Sequence, residues 1–280
     1  MKQENALASP ALKRARAALR EALARSRPDI VVDDKGYVSS FRENLVPLVA
    51  LEDFEADLSQ GDGNELESKF RAAHSSSALG VNCFSPFRRQ MSDLVLPGLT
   101  GSVDLQFERK CPTGLRGGKS PNLDVLASGP MGVVGIESKL TEYLSKYSAS
   151  FSPAYADQIR DARREQGYFR EMERLMDAPN TYVWLDAAQL VKHAFGLART
   201  FGDQPTTLLY LYWEPANPEC SAEFAQHRKE IELFAERVSG STPTFVAMSY
   251  PELWASWRRA APEWLVGHMR QLEARYLVRL

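Results

Sequence analysis

No stretch of this chain is apolar for long enough to cross a bilayer, which takes about 20 residues. The longest run, TLLYLYW at Thr207–Trp213, is far shorter, and the opening MKQENALAS has no basic segment followed by an apolar one. Both features predict a cytosolic, cytoplasmic protein with no membrane partner. Cysteine is scarce and scattered. Cys83, Cys111 and Cys220 are odd in number and never spaced CxxC, which argues against a disulfide framework and a zinc knuckle and leaves reduced, structural thiols. The histidines, His74, His193, His227 and His268, make no HExxH and no zinc spacing, and His227 with Glu230 reads as a surface pair on a helix. Excess charge is missing too: 34 basic against 36 acidic side chains leave −2, so contact with a polyanion has to come from local patches. A complete phosphate-gripping loop is also absent. Counting back from Gly118, Lys119 and Ser120, the GxxxxGK[ST] pattern needs glycine where Thr113 stands, and Pro121 with a strand-like segment follows where a helix should begin. That loop offers Arg116 and Lys119 as plain cations.

What is present is an ordinary globular composition, 44% hydrophobic and 25% charged over 280 residues, enough for a substantial core. Ser9 followed by Pro10 predicts a helix to about Ser26 with Leu12, Leu19 and Leu23 as its apolar stripe. Its other side carries Lys13, Arg14, Arg16, Arg20, Arg25 and Arg27, a solvated face sooner than a phosphate contact. Residues 1–55 read as a helical appendage to a domain of residues 56–260. A helix with Leu66, Phe70 and Ala73 on one face is expected after GDGNEL, where Asp62 with Glu65, or Asn64 with Glu67, fits a capping box.

Ser102–Glu108, Asn122–Ser128 and Met131–Glu137 read as three successive strands in an antiparallel meander. Ser152 and Pro153 open another helix burying Tyr155, Ile159, Ala162, Phe169, Met172 and Met176, and a further one runs from about Tyr182 to Arg199. Arg160, Arg163, Arg164, Arg170 and Arg174 recur at helical spacing. Asp157, Asp161 and Glu171, each three residues before an arginine, favour intrahelical pairs over a track for DNA. Thr206–Trp213 suits a strand covered on both faces, and Pro243–Tyr250 is a weaker copy. Trp254, Trp257 and Trp264 are expected to pack the C-terminal end, with residues 261–280 as a helix on the core. The order α-β-β-β-α-β predicts an α/β fold, a central mixed sheet flanked by helices.

Gly129-Pro130-Met131-Gly132 has proline and glycine where a type I turn wants them. A hairpin centred between Pro130 and Met131 sets Gly129 against Gly132 and, by the same count, Asp124 against Glu137. Period two brings Lys139 to the same face. Opposed carboxylates repel unless a cation stands between them, and hard oxygen ligands suit Mg²⁺, with Mn²⁺ as a substitute. The acid-x-Lys tripeptide by itself says little, because Asp33-Asp34-Lys35, Glu67-Ser68-Lys69 and Glu108-Arg109-Lys110 repeat it. Only Glu137-Ser138-Lys139 ends a strongly apolar strand that follows another with an acid at the matching place.

Pro121-Asn122-Leu123-Asp124 followed by Ile136-Glu137-Ser138-Lys139 resembles the split PD-(D/E)XK signature of the restriction-endonuclease-like nucleases. The segments GDGNEL, SSSALGVN, LQFE and ESKLTEY further resemble a bacterial subgroup of restriction endonucleases, and the likeness covers roughly Gly61 to Trp213. It implies a restriction-endonuclease-like core and Mg²⁺-dependent hydrolysis of phosphodiester bonds in DNA, in restriction, defence or repair. Asp124 and Glu137 match the metal ligands, Lys139 the catalytic lysine, and Ser138 the residue whose backbone carbonyl joins the metal. The resemblance also implies a glutamate from the preceding helix, for which Glu65 in its GxxxE spacing is preferred to Glu67, and a glutamine near the site, matched by Gln158. Glu142 is either an accessory to the site or an exposed carboxylate. By analogy, double-strand cleavage suggests a homodimer. Two other readings stay open: a nuclease-like fold that binds nucleic acid or a protein partner without cutting, and a nuclease of the same fold acting on RNA or branched DNA.

Overall fold

The computed structural model describes residues 9–59, 66–115, 120–160, 166–202 and 204–280, and of residues 157–160 the backbone alone. Five strands form one sheet in chain order. β1 (Asp104–Lys110), β2 (Asn122–Gly129) and β3 (Gly132–Lys139) make the expected antiparallel meander, and β4 (Thr206–Tyr212) and β5 (Thr244–Ser249) extend it in parallel. Every residue of β4 is buried, which is why its sequence is apolar without alternation. Gly129 pairs with Gly132 and Val125 with Ile136. The anticipated register therefore holds, and continuing the count sets Asp124 opposite Glu137 just past the last paired residues.

The helices are α1 (Pro10–Ser26), α2 (Glu55–Ser59), α3 (Ser76–Phe84), α4 (Gly167–Asp177), α5 (Ala187–Phe201), α6 (Ala222–Arg237), α7 (Tyr250–Arg258) and α8 (Glu263–Tyr276). A methyl group added at Gly80 of α3 would touch Val125, whereas one added at Gly135 would meet Leu197 of α5. Val125 pairs with Ile136, the neighbour of Gly135, and neighbouring strand residues face opposite ways. Helices α3 and α5 therefore cover opposite faces of an α/β sheet. Among the described residues no helix is long and apolar enough to cross a membrane.

Several elements differ from expectation. The helix foreseen through Phe70 and Ala73 is one 3-10 turn, Lys69–Arg71, and the helix begins only after Ser75, whose hydroxyl accepts the Ala78 N–H. The reason is competition for backbone groups. Asn44 Nδ2 takes the carbonyls of Phe70 and Ala72, Val38 N–H takes that of Arg71, and Ala73 N–H goes to Gly36. Ser152-Pro153 opens a 3-10 segment, Pro153–Arg160, while α4 starts separately at Gly167 and buries Leu175 in preference to Met176. Helix α5 starts at Ala187, not near Tyr182. Helix α1, anticipated as an appendage, has Leu12 and Leu19 in the main core and packs on α8. Trp254 and Trp257 are buried, and Trp264 donates to Asp93, so these tryptophans do pack the C-terminal end.

Candidate active site

Glu137 lies at the end of β3 with 2% of its surface exposed. Lys139 Nζ is 2.5 Å from its Oε1 and donates to Gln189 Oε1 at 2.9 Å. His193 Nε2 stands 2.8 Å from the other oxygen, Oε2. That contact is ionic in range but off the direction of a hydrogen bond, so Oε2 and both imidazole nitrogens lack a hydrogen-bond partner among the described residues. Half-buried Asp124 approaches through the backbone: its Oδ2 accepts the Ser138 N–H at 2.6 Å. The Ser138 hydroxyl and Tyr250 Oη share a hydrogen bond of 2.7 Å, which ties the strand end to α7.

The charges differ in consequence. Burial, and then the charge of Glu137, pushes the Asp124 carboxyl well above the usual aspartate range, with Glu108 adding to the effect and Lys139 and the Ser138 N–H opposing it. Burial acts the same way on Glu137, but Lys139 and His193 outweigh it and hold that carboxyl at about 2. Burial would lower the Lys139 ammonium; Glu137 foremost, then Tyr147, Asp124 and Glu142, keep it well above the usual lysine range. The site thus contains a settled ion pair, Glu137 with Lys139, beside a carboxylate short of positive charge.

Helix α5 supplies Gln189 and His193, one turn apart. Asp186 caps it by accepting the Gln189 N–H at 3.0 Å. Just before it, the Glu230 carboxylate of α6 collects the N–H groups of Val183, Trp184 and Leu185, which stops the helix from starting earlier. Glu230 and His227 are both buried. They are not the surface pair their spacing suggests, because one serves these amides and the other meets Tyr210 Oη at 2.9 Å. Close approach of α5 to the sheet needs Gly135, where a Cβ would lie 2.7 Å from Leu123 and 2.9 Å from Leu197.

Of the other anticipated residues, Glu65 lies outside the described residues, as does the Gln158 side chain, while Glu67 is exposed. Glu142 Oε2 accepts the N–H groups of Leu140 and Thr141 at 2.9 Å, fixing the chain where it leaves β3. Gln189 and His193 were not foreseen; their four-residue spacing on one helix face was the one available signal. Arg174 pairs with Glu171 three residues earlier, as the ion-pair reading has it, and Arg237 joins them.

Among the described residues no trio of His, Cys, Asp and Glu is arranged as a complete metal site. Mg²⁺ does not need one, since it binds through one or two carboxylates and completes its shell with water and phosphate oxygens. Glu137 Oε2, which accepts no hydrogen bond and has His193 alone as its ionic neighbour among the described residues, and the charge-starved Asp124 are hard oxygen donors of that kind, so the residues fit such an ion.

No curated protein and no solved structure matches the chain. A family model described as restriction endonuclease associating with ARP matches residues 16–277, from within α1 to beyond α8, so the likeness takes in the whole sheet, both of its helical layers and the Asp124, Glu137 and Lys139 positions. With nearly the entire length matched, the chain belongs to the family of restriction endonucleases associating with ARP.

Proposed function

We propose that this protein is a divalent-metal-dependent nuclease that hydrolyses phosphodiester bonds in DNA, in a cytoplasmic role of restriction, defence or repair. The family carries the nuclease part, and one observation carries the site: a partly buried lysine kept charged by Glu137 and aimed by Gln189, one residue from the amide that holds Asp124. Mg²⁺, or Mn²⁺ in its place, would polarise the phosphodiester and make a bound water more acidic. Asp124 and Glu137 are the carboxylates to hold it, with the Ser138 carbonyl beside them; Glu65 remains a candidate addition. Lys139 stabilises negative charge growing on the phosphate. Glu137 and Gln189 orient Lys139, and the Ser138 N–H orients Asp124. A homodimer would bring two such sites to the two strands of a duplex, and the association with ARP that the family's description states is extended to this chain.

The test is incubation with linear, circular and single-stranded DNA and with RNA, in Mg²⁺, Mn²⁺ or EDTA, for the wild type, Asp124→Ala and Lys139→Ala. The expected result is metal-dependent cleavage of DNA that falls by about 100-fold or more in both variants. Undiminished cleavage in both variants would overturn the site, and no cleavage of any substrate would overturn the nuclease reading in favour of a binding protein. Cleavage of RNA alone would reassign the substrate.

A further inference from the structure

Between Pro10 and Arg27 the chain carries six basic side chains and one acid, Glu21, although its formal charge as a whole is −2. By composition alone this is ordinary helix surface, but the packing of α1 gives it a direction. Leu12, Ala15 and Leu19 are buried in the core, which turns Lys13 and Arg16, one turn apart, outward on the same side of the helix. Arg20 continues that stripe and is held by Asp34; Arg25 and Arg27 pair with Glu21 and Asp29. Lys13 and Arg16 are exposed and form no ion pair among the described residues.

This stripe lies beside the site. Arg275 donates to the carbonyl of Leu19 in α1 and to that of Ala73, which locks the helix against the residue before His74. A Cβ on Gly36 would lie 3.8 Å from Arg20 Cβ and 3.6 Å from His74 Nδ1, so the stripe and His74 share a neighbour. His74 leads directly into Ser75, the cap of α3, and Ser77 in the first turn of α3 borders the same small cavity as Asp124. The charges agree with this placement. After burial, Arg16 is the next influence lowering His74, and it is opposed by Glu142, whose charge also supports the Lys139 ammonium. Cations left unpaired on a rigid helix at this flank suit backbone phosphates, which ask for positive charge and carry no base pattern. One helical turn, about 5 Å, matches neighbouring phosphates of one strand, which advance about 3.4 Å each along a duplex.

We propose that the Lys13 and Arg16 face of α1 is a docking surface for the phosphate backbone of DNA on the α3 flank of the cleavage site. It rests on the nuclease reading for the identity of the polyanion but is tested on binding in the absence of cleavage. The measurement is fluorescence anisotropy of a labelled DNA duplex titrated with the full chain in EDTA, from about 50 to 200 mM KCl. Lys13→Ala with Arg16→Ala is expected to weaken binding at low salt, to lower the slope of log affinity against log salt by about 2, and, with metal, to raise the KM for cleavage by the same factor as the Kd. Lys13→Arg with Arg16→Lys keeps both charges and should keep the slope. Lys229→Ala with Arg259→Ala removes two exposed cations from α6 and α7, beside β5, and should leave slope and cleavage as in the wild type. Melting temperatures of the three variants check that each is folded.

A wild-type slope in the Lys13 and Arg16 alanine variant overturns the proposal, as does an equal fall in the Lys229 and Arg259 variant, which would mean that net charge alone is felt. A wild-type chain that binds no DNA at low salt overturns it too. DNA bound through Lys13 and Arg16 by a chain that cuts nothing would remove the nuclease reading and support the docking face. Cleavage that depends on Asp124 and Lys139, with binding indifferent to Lys13 and Arg16, would remove the docking face alone.

Discussion

Asp124 and Glu137 bring the same carboxyl group to facing strand positions, yet their environments drive them apart. Lys139 and His193 hold Glu137 ionised down to a pKa of about 2, whereas Asp124 is raised by burial and by Glu137 itself. Such divergence marks sites built for chemistry more than for stability. The sign follows from linkage. A carboxyl whose folded pKa exceeds its unfolded value of 3.8 contributes stability at low pH, and loses it as pH rises through the folded value. Ionised Asp124 is therefore a cost to the folded chain above that point. Asp124→Asn keeps an oxygen for the Ser138 N–H and removes the charge, so it should melt higher than the wild type. Each kcal/mol recovered would add about 2–4 °C, and the gain should be larger at pH 8 than at pH 5, with cleavage lost. Thermal unfolding at the two pH values checks this, and a variant less stable than the wild type at pH 8 would mean that Asp124 serves structure.

At the level of elements, the strands were legible and several helices were not. A strand's identity rests on its own β-branched and apolar residues, and the turn at Gly129–Gly132 fixes a register that carries on by counting. The residues after Gly61 carried a helical apolar pattern, yet the backbone groups of Phe70 to Ala73 went to Asn44, Val38 and Gly36, partners some thirty residues earlier that no local pattern announces. Gln189 and His193 were hidden for the same reason: nothing near them in sequence says that α5 will lie over the end of β3. What puts it there is close contact. A Cβ on Gly196 would collide with the backbone carbonyl of Cys111. Gly196→Ala should cost about 1–3 kcal/mol and, by shifting Gln189 off Lys139, slow cleavage as well. Gly267→Ala on α8, where a Cβ meets open space, should instead stabilise by about 0.4–1 kcal/mol. Urea unfolding of the two variants separates helix propensity from packing; equal effects would remove the close-contact argument.

Across the whole molecule, the N- and C-terminal helices are joined by a buried cation, not by apolar contact alone. Arg275 of α8 is 2% exposed and donates to the carbonyls of Leu19 in α1 and of Ala73, and to Asn44 Oδ1. Polar groups placed this deep make the fold sensitive to protonation, and the histidines show it most. Burial, with the charge of Arg228 behind it, lowers His227 to about 3, and burial lowers His74 and His268 to about 4. The unfolded chain binds protons at these positions below pH 6.5 and the folded chain does not. Their stability contribution is therefore complete above 6.5 and falls as pH drops towards 4, by about 1.4 kcal/mol per pH unit for each proton. Asp124 acts in the opposite direction over part of this range, so the measurement belongs in an Asp124→Asn background. There, urea stability from pH 7.5 to 5 should decline steeply, and His227→Phe, which keeps a ring against Tyr143, should flatten the decline by about one proton. Loss of the Tyr210 hydrogen bond will lower that variant's stability at every pH, so the slope and not the height is the readout. An unchanged slope would mean that His227 takes up its proton without leaving the folded core.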